Sequence, residues 1–145
     1  MKEEDLPAVV EIECLSFSTP WPETSFKGEL ENQPVSNPYV VVSKKLDKVI
    51  GYIIFWRIGD EAQIANVAVH PDYRRKGIGK KVVEKILSLL KREEVRFVIL
   101  EVRPSNTVAR ALYHKLGFEV IGVREGYYRD PQENALIMGK TLEGN

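Results

Sequence analysis

A helix-like segment set between two strand-like segments restricts the folds open to this 145-residue chain more than any other feature. Apolar side chains recur at helical spacing across residues 78–92, while residues 62–69 and 97–102 are rich in apolar and β-branched side chains. Two strands joined through a helix lie parallel in one sheet, with a right-handed crossover in nearly all proteins. The sequence therefore predicts such a unit, with strand 97–102 buried on both faces.

The rest of the chain predicts antiparallel strands and shorter helices around this unit. Strands are predicted where apolar, β-branched and aromatic residues lie between turn residues: 39–43, 49–58, 62–69, 118–127 and 135–142. Helices are predicted behind start signals: residues 5–15 after Asp5 and Pro7, a second opened by Pro22, and a third capped by Ser105 or Asn106 and ended by Gly117. We expect one α+β domain over residues 1–145, with a polar loop at 129–133 and a loose tail at 143–145.

Composition excludes several classes of protein. The formal net charge is zero, which argues against nucleic acid or a membrane surface as a partner. The single cysteine, Cys14, fits a reducing compartment, and we expect it to be a small buried hydrophobe. The acidic N-terminus does not resemble a signal peptide, so a soluble, cytoplasmic protein is expected. His70 and His114 are not spaced with other ligands as a metal site requires, and no metal is expected.

The segment that joins strand 62–69 to helix 78–92 has the properties of an anion-binding loop. Gly77 and Gly79 would let a ligand approach the backbone N–H groups, which are unpaired at a helix start and carry partial positive charge. A P-loop would need Ser or Thr at Lys81, and the dinucleotide fingerprint would need Gly or Ala at Val82. An ordinary turn with a solvated basic face remains the alternative.

Several motifs resemble those of one enzyme family. The spacing Arg74-x-x-Gly77-x-Gly79 resembles the coenzyme A signature of the GNAT N-acetyltransferases. Further motifs resemble the bacterial ribosomal-protein-alanine N-acetyltransferases, the RimI type, within that family. They are Asn66-Val67-Ala68-Val69, Leu100-Glu101-Val102-Arg103-Pro104-Ser105-Asn106, Ala111-Leu112-Tyr113, Leu116-Gly117-Phe118, Gly126-Tyr127-Tyr128 and Ala135-Leu136-Ile137-Met138. The resemblance covers about residues 5–142.

The resemblance implies a GNAT fold, with helices on both faces of a mixed, mostly antiparallel sheet. It also implies acetyl-coenzyme A as cofactor, held largely by backbone groups: Val67, Ala68, Val69, Arg74, Arg75, Lys76, Gly77, Ile78, Gly79, Lys80 and Asn106. The Val69 N–H is the implied oxyanion partner, although a plain core strand fits residues 67–69 equally well. Two features depart from the family. Only residues 1–4 precede the first predicted helix, so the first edge strand is expected to be missing or replaced, or the sequence to start late in the domain. Glu133-Asn134-Ala135 stands where Glu-Asp-Ala is common.

Two side chains match catalytic positions of the family. Glu101 lies inside an apolar run and is the candidate general base, acting directly or through water; the alternative is a buried ion pair with Arg103 or Arg110. Tyr113 would donate a proton to the departing sulfur, although its spacing with the neighbouring leucines equally fits a core position. Asn106 is expected to cap its helix, to contact the cofactor, or to do both.

The implied substrate is the free α-amino group of a protein, with a small-subunit ribosomal protein bearing N-terminal alanine as the implied target. An α-amine has a pKa of about 7.7–8.0 against about 10.4 for lysine, so a modest base is sufficient to deprotonate it. Tyr127 and Tyr128 are expected to line the acceptor groove, and Trp21 and Phe26 to form its opposite wall. A hairpin end with paired aromatics is the competing interpretation of the two tyrosines.

Two other functions remain open at this point. The first is a GNAT enzyme that acetylates a small amine or a protein lysine with the same cofactor loop. The second is a non-catalytic sensor of acyl-coenzyme A, which would bind cofactor without transferring its acyl group. Because Glu101 and Tyr113 are both present, the sequence favours the enzyme over the sensor.

Overall fold

Helices and strands follow one another along the chain in the predicted order in the computed structural model, which describes residues 1–129 and 132–142. The strands are β1 (Ser36–Ser43), β2 (Lys48–Ile58), β3 (Glu61–Val69), β4 (Phe97–Val102), β5 (Glu119–Arg129) and β6 (Gln132–Thr141). The helices are α1 (Leu6–Ser16), α2 (Glu23–Glu31), α3 (Ile78–Arg92) and α4 (Thr107–Lys115), with 3-10 turns at Glu3–Asp5 and Pro71–Tyr73.

The described strands form one mixed sheet in the order β1-β2-β3-β4-β6-β5. Strands β3 and β4 are parallel, as the strand–helix–strand pattern predicts, and every other neighbouring pair is antiparallel. Within the described residues no strand precedes α1. The handedness of the crossover stays a prediction.

Helices cover both faces of the sheet, and each face has its own apolar core. On one face, α3 and α4 pack over β2, β3, β4 and β6, with Val83, Leu90, Leu100 and Phe118 buried between them. On the other face, α1 packs over β2 and β3, and α2 packs against β1 and α1, with Phe26 of α2 buried beside Tyr52. The layer formed by α1 and α2 does not extend over β4. Side chains on this face of the sheet are therefore less deeply buried on β4 than on β2.

Two predictions about buried residues are wrong. Strand β4 is not buried on both faces: alternate residues facing α3 and α4 are buried, whereas Phe97, Ile99 and Glu101 on the other face are only half-buried. Cys14 is exposed rather than buried. Ile12 lies on the buried face of α1, and two positions further along a helix the side chain points about 200° away, toward solvent.

Strand ends differ from the predicted ones where proline or bulges obscure the pattern. Strand β1 begins at Ser36 and contains Pro38, which is tolerated because β1 is an edge strand. Strands β5 and β6 extend into the predicted polar loop, so only residues 130–131 separate them; these two, and the predicted tail at 143–145, lie outside the described residues. None of the helices in the described part of the chain is long and apolar enough to span a membrane.

Candidate functional site

A gap opens in the sheet where β3 and β4 separate. Their parallel pairing runs from Glu61 with Phe97 to Ile64 with Leu100 and then ends, although both strands continue. A register shift in the pairing of β2 with β3, beside Ile64, marks the same point. The outer half of β3 therefore presents unpaired backbone toward a gap that Glu101 borders on the other side.

Val69 directs its N–H into this gap. His70 N–H donates to Ile50 O at 2.8 Å, and hydrogen-bonded and non-bonded pairs alternate along antiparallel strands. The neighbouring pair, Gly51 with Val69, is therefore non-bonded across β2, so the Val69 N–H faces away from β2 and toward β4. Val67, two residues earlier, has the same orientation. This backbone could donate to a ligand lying in the gap.

The loop between β3 and α3 presents further N–H groups. The first N–H to bond within α3 is that of Lys81, which donates to Gly77 O at 3.1 Å. The amides of Ile78, Gly79 and Lys80 therefore precede the helical ladder and carry the partial positive charge of the helix start. Gly77 is left-handed at φ +74°, and Arg75 is held at φ +65°, a conformation that non-glycine residues rarely adopt. This strained turn suits an anion, and its residues are largely exposed.

The basic side chains of this loop stabilise its conformation and also give it positive charge. The Arg74 guanidinium donates to Val69 O at 2.9 Å and to Ser16 Oγ at 2.8 Å, which ties the loop to the end of α1. Lys76 Nζ lies 5.5 Å from the ring centroid of Tyr73. His70 accepts from Asp72 N–H at 3.1 Å and so caps the 3-10 turn. The loop is thus pre-shaped, and its amides are better placed for an anion than the Arg74 side chain.

Glu101 lies at the edge of the gap with a side chain that is 13% exposed. Its ionic partner is Arg124 on β5, with Nη1 3.2 Å from Oε1. Burial, then the nearby Glu101 charge, raise the pKa of Tyr127 above its ordinary value. The predicted alternative, an ion pair with Arg103 or Arg110, is wrong in its partners. Arg103 pairs with Glu133 at 3.4 Å, and Arg110 donates to Pro104 O at 2.9 Å.

Tyr113 lies on the opposite face, 6% exposed, with its ring against Phe118 in the core under α3 and α4. Burial raises the pKa of the Tyr113 hydroxyl above its ordinary value, and the nearby Tyr128 adds to the shift. Tyr113 is therefore buried and keeps its proton at neutral pH, and a catalytic role for its hydroxyl stays a prediction. Asn106 caps α4, because its Oδ1 accepts from Ala109 N–H at 3.1 Å; a cofactor contact by Asn106 stays a prediction.

The two predicted groove tyrosines lie where β5 bulges. Tyr127 and Tyr128 contact each other edge to face, with centroids 5.0 Å apart, and the β5–β6 register shifts beside them. Burial, then Tyr127 and Glu101, raise the pKa of Tyr128 to about 12. Gly126 precedes them at φ +61°, and its N–H donates to Asn134 Oδ1 at 2.9 Å. The pair therefore lies near the end of a hairpin and close to Glu101, and its part in an acceptor groove stays a prediction.

The opposite wall differs from the prediction. Phe26 is fully buried between Trp21 and Tyr52, so it supports Trp21 from below and cannot line a groove. Trp21 is half-buried, and its role as a wall residue stays a prediction. Two charged residues near the site had no role in the sequence-based prediction: Arg124, and Glu13 on α1, a fully buried carboxylate.

Known proteins match both the sequence and the structure. A model of the acetyltransferase (GNAT) family matches residues 6–118. The chain is 37% identical over 145 residues to the [ribosomal protein bS18]-alanine N-acetyltransferase of Escherichia coli K12, covering 95% of this chain and 92% of that protein. It is 40% identical over 142 residues to a Bacillus subtilis protein to which the same activity is ascribed, covering 98% and 93% of the two chains. The crystal structure of the Escherichia coli ribosomal-protein-S18-alanine N-acetyltransferase superposes with a TM-score of 0.91 at 33% identity, covering 100% of this chain and 92% of that one.

Proposed function

We propose that this chain, which belongs to the acetyltransferase (GNAT) family, transfers the acetyl group of acetyl-coenzyme A to the N-terminal α-amino group of a ribosomal protein beginning with alanine. The observation that carries the proposal is the gap between β3 and β4, with exposed amides on one side and Glu101 on the other. The two bacterial relatives, matched over nearly their whole length, are named for this reaction on protein bS18.

Acetyl-coenzyme A supplies an activated thioester and an anionic diphosphate. The amides of residues 75–80 would hold the diphosphate, because they lie in a strained turn at a helix start with no partners in the helical ladder. The Val69 N–H would donate to the thioester oxygen. The Arg74 side chain contributes by holding this loop and Val69 together.

The remaining chemistry is proton transfer. The new C–N bond forms as the C–S bond breaks, the amine loses one proton, and the departing sulfur gains one. Glu101 would accept the amine proton directly or through water, and Tyr113 would donate to the sulfur. The raised pKa of Tyr113 keeps its hydroxyl protonated, and a phenol can donate to a thiolate whose acid has a pKa of about 8.5.

The setting of Glu101 favours α-amines over lysines. Arg124 already occupies the carboxylate, so a positively charged amine must compete with a guanidinium for it. At pH 7 roughly a tenth of α-amines are neutral, against far less than one in a hundred lysines. The neutral fraction of an N-terminal amine can therefore approach Glu101 without competing as a cation with Arg124 for the carboxylate.

Acetyl transfer to a panel of peptides tests the proposal. We expect coenzyme A release, read as free thiol, with peptides that carry a free N-terminal alanine, and mass spectrometry should place the acetyl group on the α-nitrogen. Peptides with blocked N-termini and internal lysines, and polyamines, form the comparison arms. Turnover of only those amines would replace the protein N-terminus by a lysine or small-molecule substrate, and binding of acetyl-coenzyme A without turnover of any amine would indicate a sensor.

A further inference from the structure

Glu13 is a buried carboxylate that neither the proposed chemistry nor the apolar core explains. Only 1% of its surface is exposed, in the contact between α1 and the sheet. Oε2 accepts from Trp21 N–H at 2.8 Å, and Oε1 accepts from Asn66 Nδ2 at 2.8 Å and from the Tyr52 hydroxyl. Burying a carboxylate is costly unless hydrogen bonds replace its water, and these three uncharged donors do so.

The three donors come from three separate parts of the chain. Trp21 lies in the connection between α1 and α2, Tyr52 on β2, and Asn66 on β3. Asn66 is two residues beyond Ile64, the last residue of β3 that pairs with β4. One carboxylate therefore joins the α1–α2 connection to the strand at the point where the gap opens.

Glu13 also lies on the same face of the sheet as Glu101. Val98, Leu100 and Val102 face α3 and α4, so Glu101, which alternates with them, faces the side of α1 and α2. An acceptor that reaches Glu101 must approach from this side. The predicted walls of such an approach are the α1–α2 connection with Trp21 and the tyrosine pair at the end of β5.

We propose that Glu13 is a positioning residue that holds the α1–α2 wall of the acceptor groove in register with the open part of β3. The inference rests on the proposed function. Loss of Glu13 should weaken binding of the acceptor peptide, because the α1–α2 wall would no longer be held against β3. Because Glu13 touches neither the amides of residues 75–80 nor Glu101 in its described contacts, binding of acetyl-coenzyme A and the chemical step should change little.

Glu13→Gln tests the proposal with little change in shape. The amide has one acceptor oxygen for three donors, and its NH₂ group cannot accept from the Trp21 N–H or the Asn66 amide. We expect the acceptor KM to rise about 3- to 10-fold, the loss of one hydrogen bond. We expect kcat and the Kd of acetyl-coenzyme A to stay within about twofold, and amide hydrogen exchange at Trp21 to become faster.

Two matched variants separate positioning from general damage to α1. Glu11→Gln changes an exposed carboxylate on the same helix and should leave every parameter at its wild-type value. Tyr52→Phe removes one donor but leaves the bonds to Trp21 and Asn66, so the acceptor KM should change less than in Glu13→Gln. Should Glu13→Gln not fold, Asn66→Ala breaks the same link from β3, with the same expected rise in acceptor KM.

The proposal is overturned if folded Glu13→Gln keeps the wild-type acceptor KM and the wild-type exchange rate at Trp21. It is equally overturned if the Kd of acetyl-coenzyme A rises in parallel with the acceptor KM, since that would indicate a purely structural role. Failure of the proposed function gives a different result. In that case the wild-type protein itself would not acetylate the alanine peptide.

Discussion

Glu101 on β4 and Arg124 on β5 form an ion pair, with Nη1 3.2 Å from Oε1, across the strand that lies between them. On that strand, β6, Ile137 pairs with Glu101 and Ala135 pairs with Arg124. Both charged side chains therefore project from one face, two residues apart along β6. Arg124 is more than half exposed, so solvent screens the pair and it contributes little to stability.

Glu101→Gln should abolish most of the turnover without unfolding the protein. The amide cannot take the amine proton, so we expect kcat to fall by about 10²- to 10³-fold, the usual contribution of a general base. The Kd of acetyl-coenzyme A, measured by calorimetry, should stay at the wild-type value. Glu133→Gln is the control, because it neutralises the carboxylate that pairs with Arg103 instead. Equal losses in the two variants would remove Glu101 as the base.

Substitutions at Gly77 separate backbone conformation from steric bulk in the loop before α3. A Cβ at Gly77 meets no atom within 4 Å, but φ is +74°. Asparagine tolerates this left-handed conformation and valine does not. We expect Gly77→Val to raise the Kd of acetyl-coenzyme A at least about 10-fold, because the left-handed conformation costs a bulky residue about 1–2 kcal/mol. Gly77→Asn should raise this Kd less than about threefold. Equal calorimetric Kd values for the two variants would contradict a role for this turn.

Much of the fold followed from local signals in the sequence. The bounds of α3 and β4 match the predicted ones because helical spacing over four turns and an unbroken apolar run are strong, short-range patterns. The cap of α4 by Asn106 and the left-handed Gly117 behind it also needed no tertiary information. The GNAT family assignment rested on motif order in the same way, and the family match confirms it.

The parts of the site that were not predicted depend on the pairing register of the strands and on how deeply individual side chains are buried. Arg124 meets Glu101 only because β5 pairs with β6 through two register shifts, and no local pattern in the sequence reveals them. Glu13 follows Val9 by four residues and therefore lies on the apolar face of α1, so helical spacing could have indicated its burial, but its donors on β2 and β3 leave no local signal. The prediction that Phe26 lines the groove used only its position in the early helical region, while the aromatic rings around it place it in the core.

The buried tyrosines predict a loss of stability at alkaline pH. The pKa of Tyr113 is raised in the folded protein, so the native state keeps a proton that the unfolded state releases near pH 10. The stabilisation is complete below pH 10 and decreases above it, by about 1.4 kcal/mol per pH unit for each such tyrosine. Tyr113→Phe should therefore flatten the fall in unfolding free energy above pH 10, measured by denaturant titration.

Phe118→Leu is the matched control for this measurement. It weakens the ring contact with Tyr113 but keeps the hydroxyl, so it should lower the unfolding free energy at every pH without changing the slope. Parallel curves for Tyr113→Phe and the wild type above pH 10 would show that Tyr113 does not hold its proton in the folded state.

Asn134 offers a test of how the tyrosine pair is held. Its Oδ1 accepts from Gly126 N–H at 2.9 Å, directly before Tyr127 and Tyr128, and an aspartate could accept the same bond. The departure from Glu-Asp-Ala should therefore be neutral, and Asn134→Asp should keep the acceptor KM. Asn134→Ala leaves the amide without its acceptor, and we expect the acceptor KM to rise about 3- to 10-fold while the Kd of acetyl-coenzyme A is unchanged. If alanine and aspartate gave the same KM in initial-rate assays, the bond would have no part in placing the tyrosines, and the groove would have to be held by β6 pairing alone.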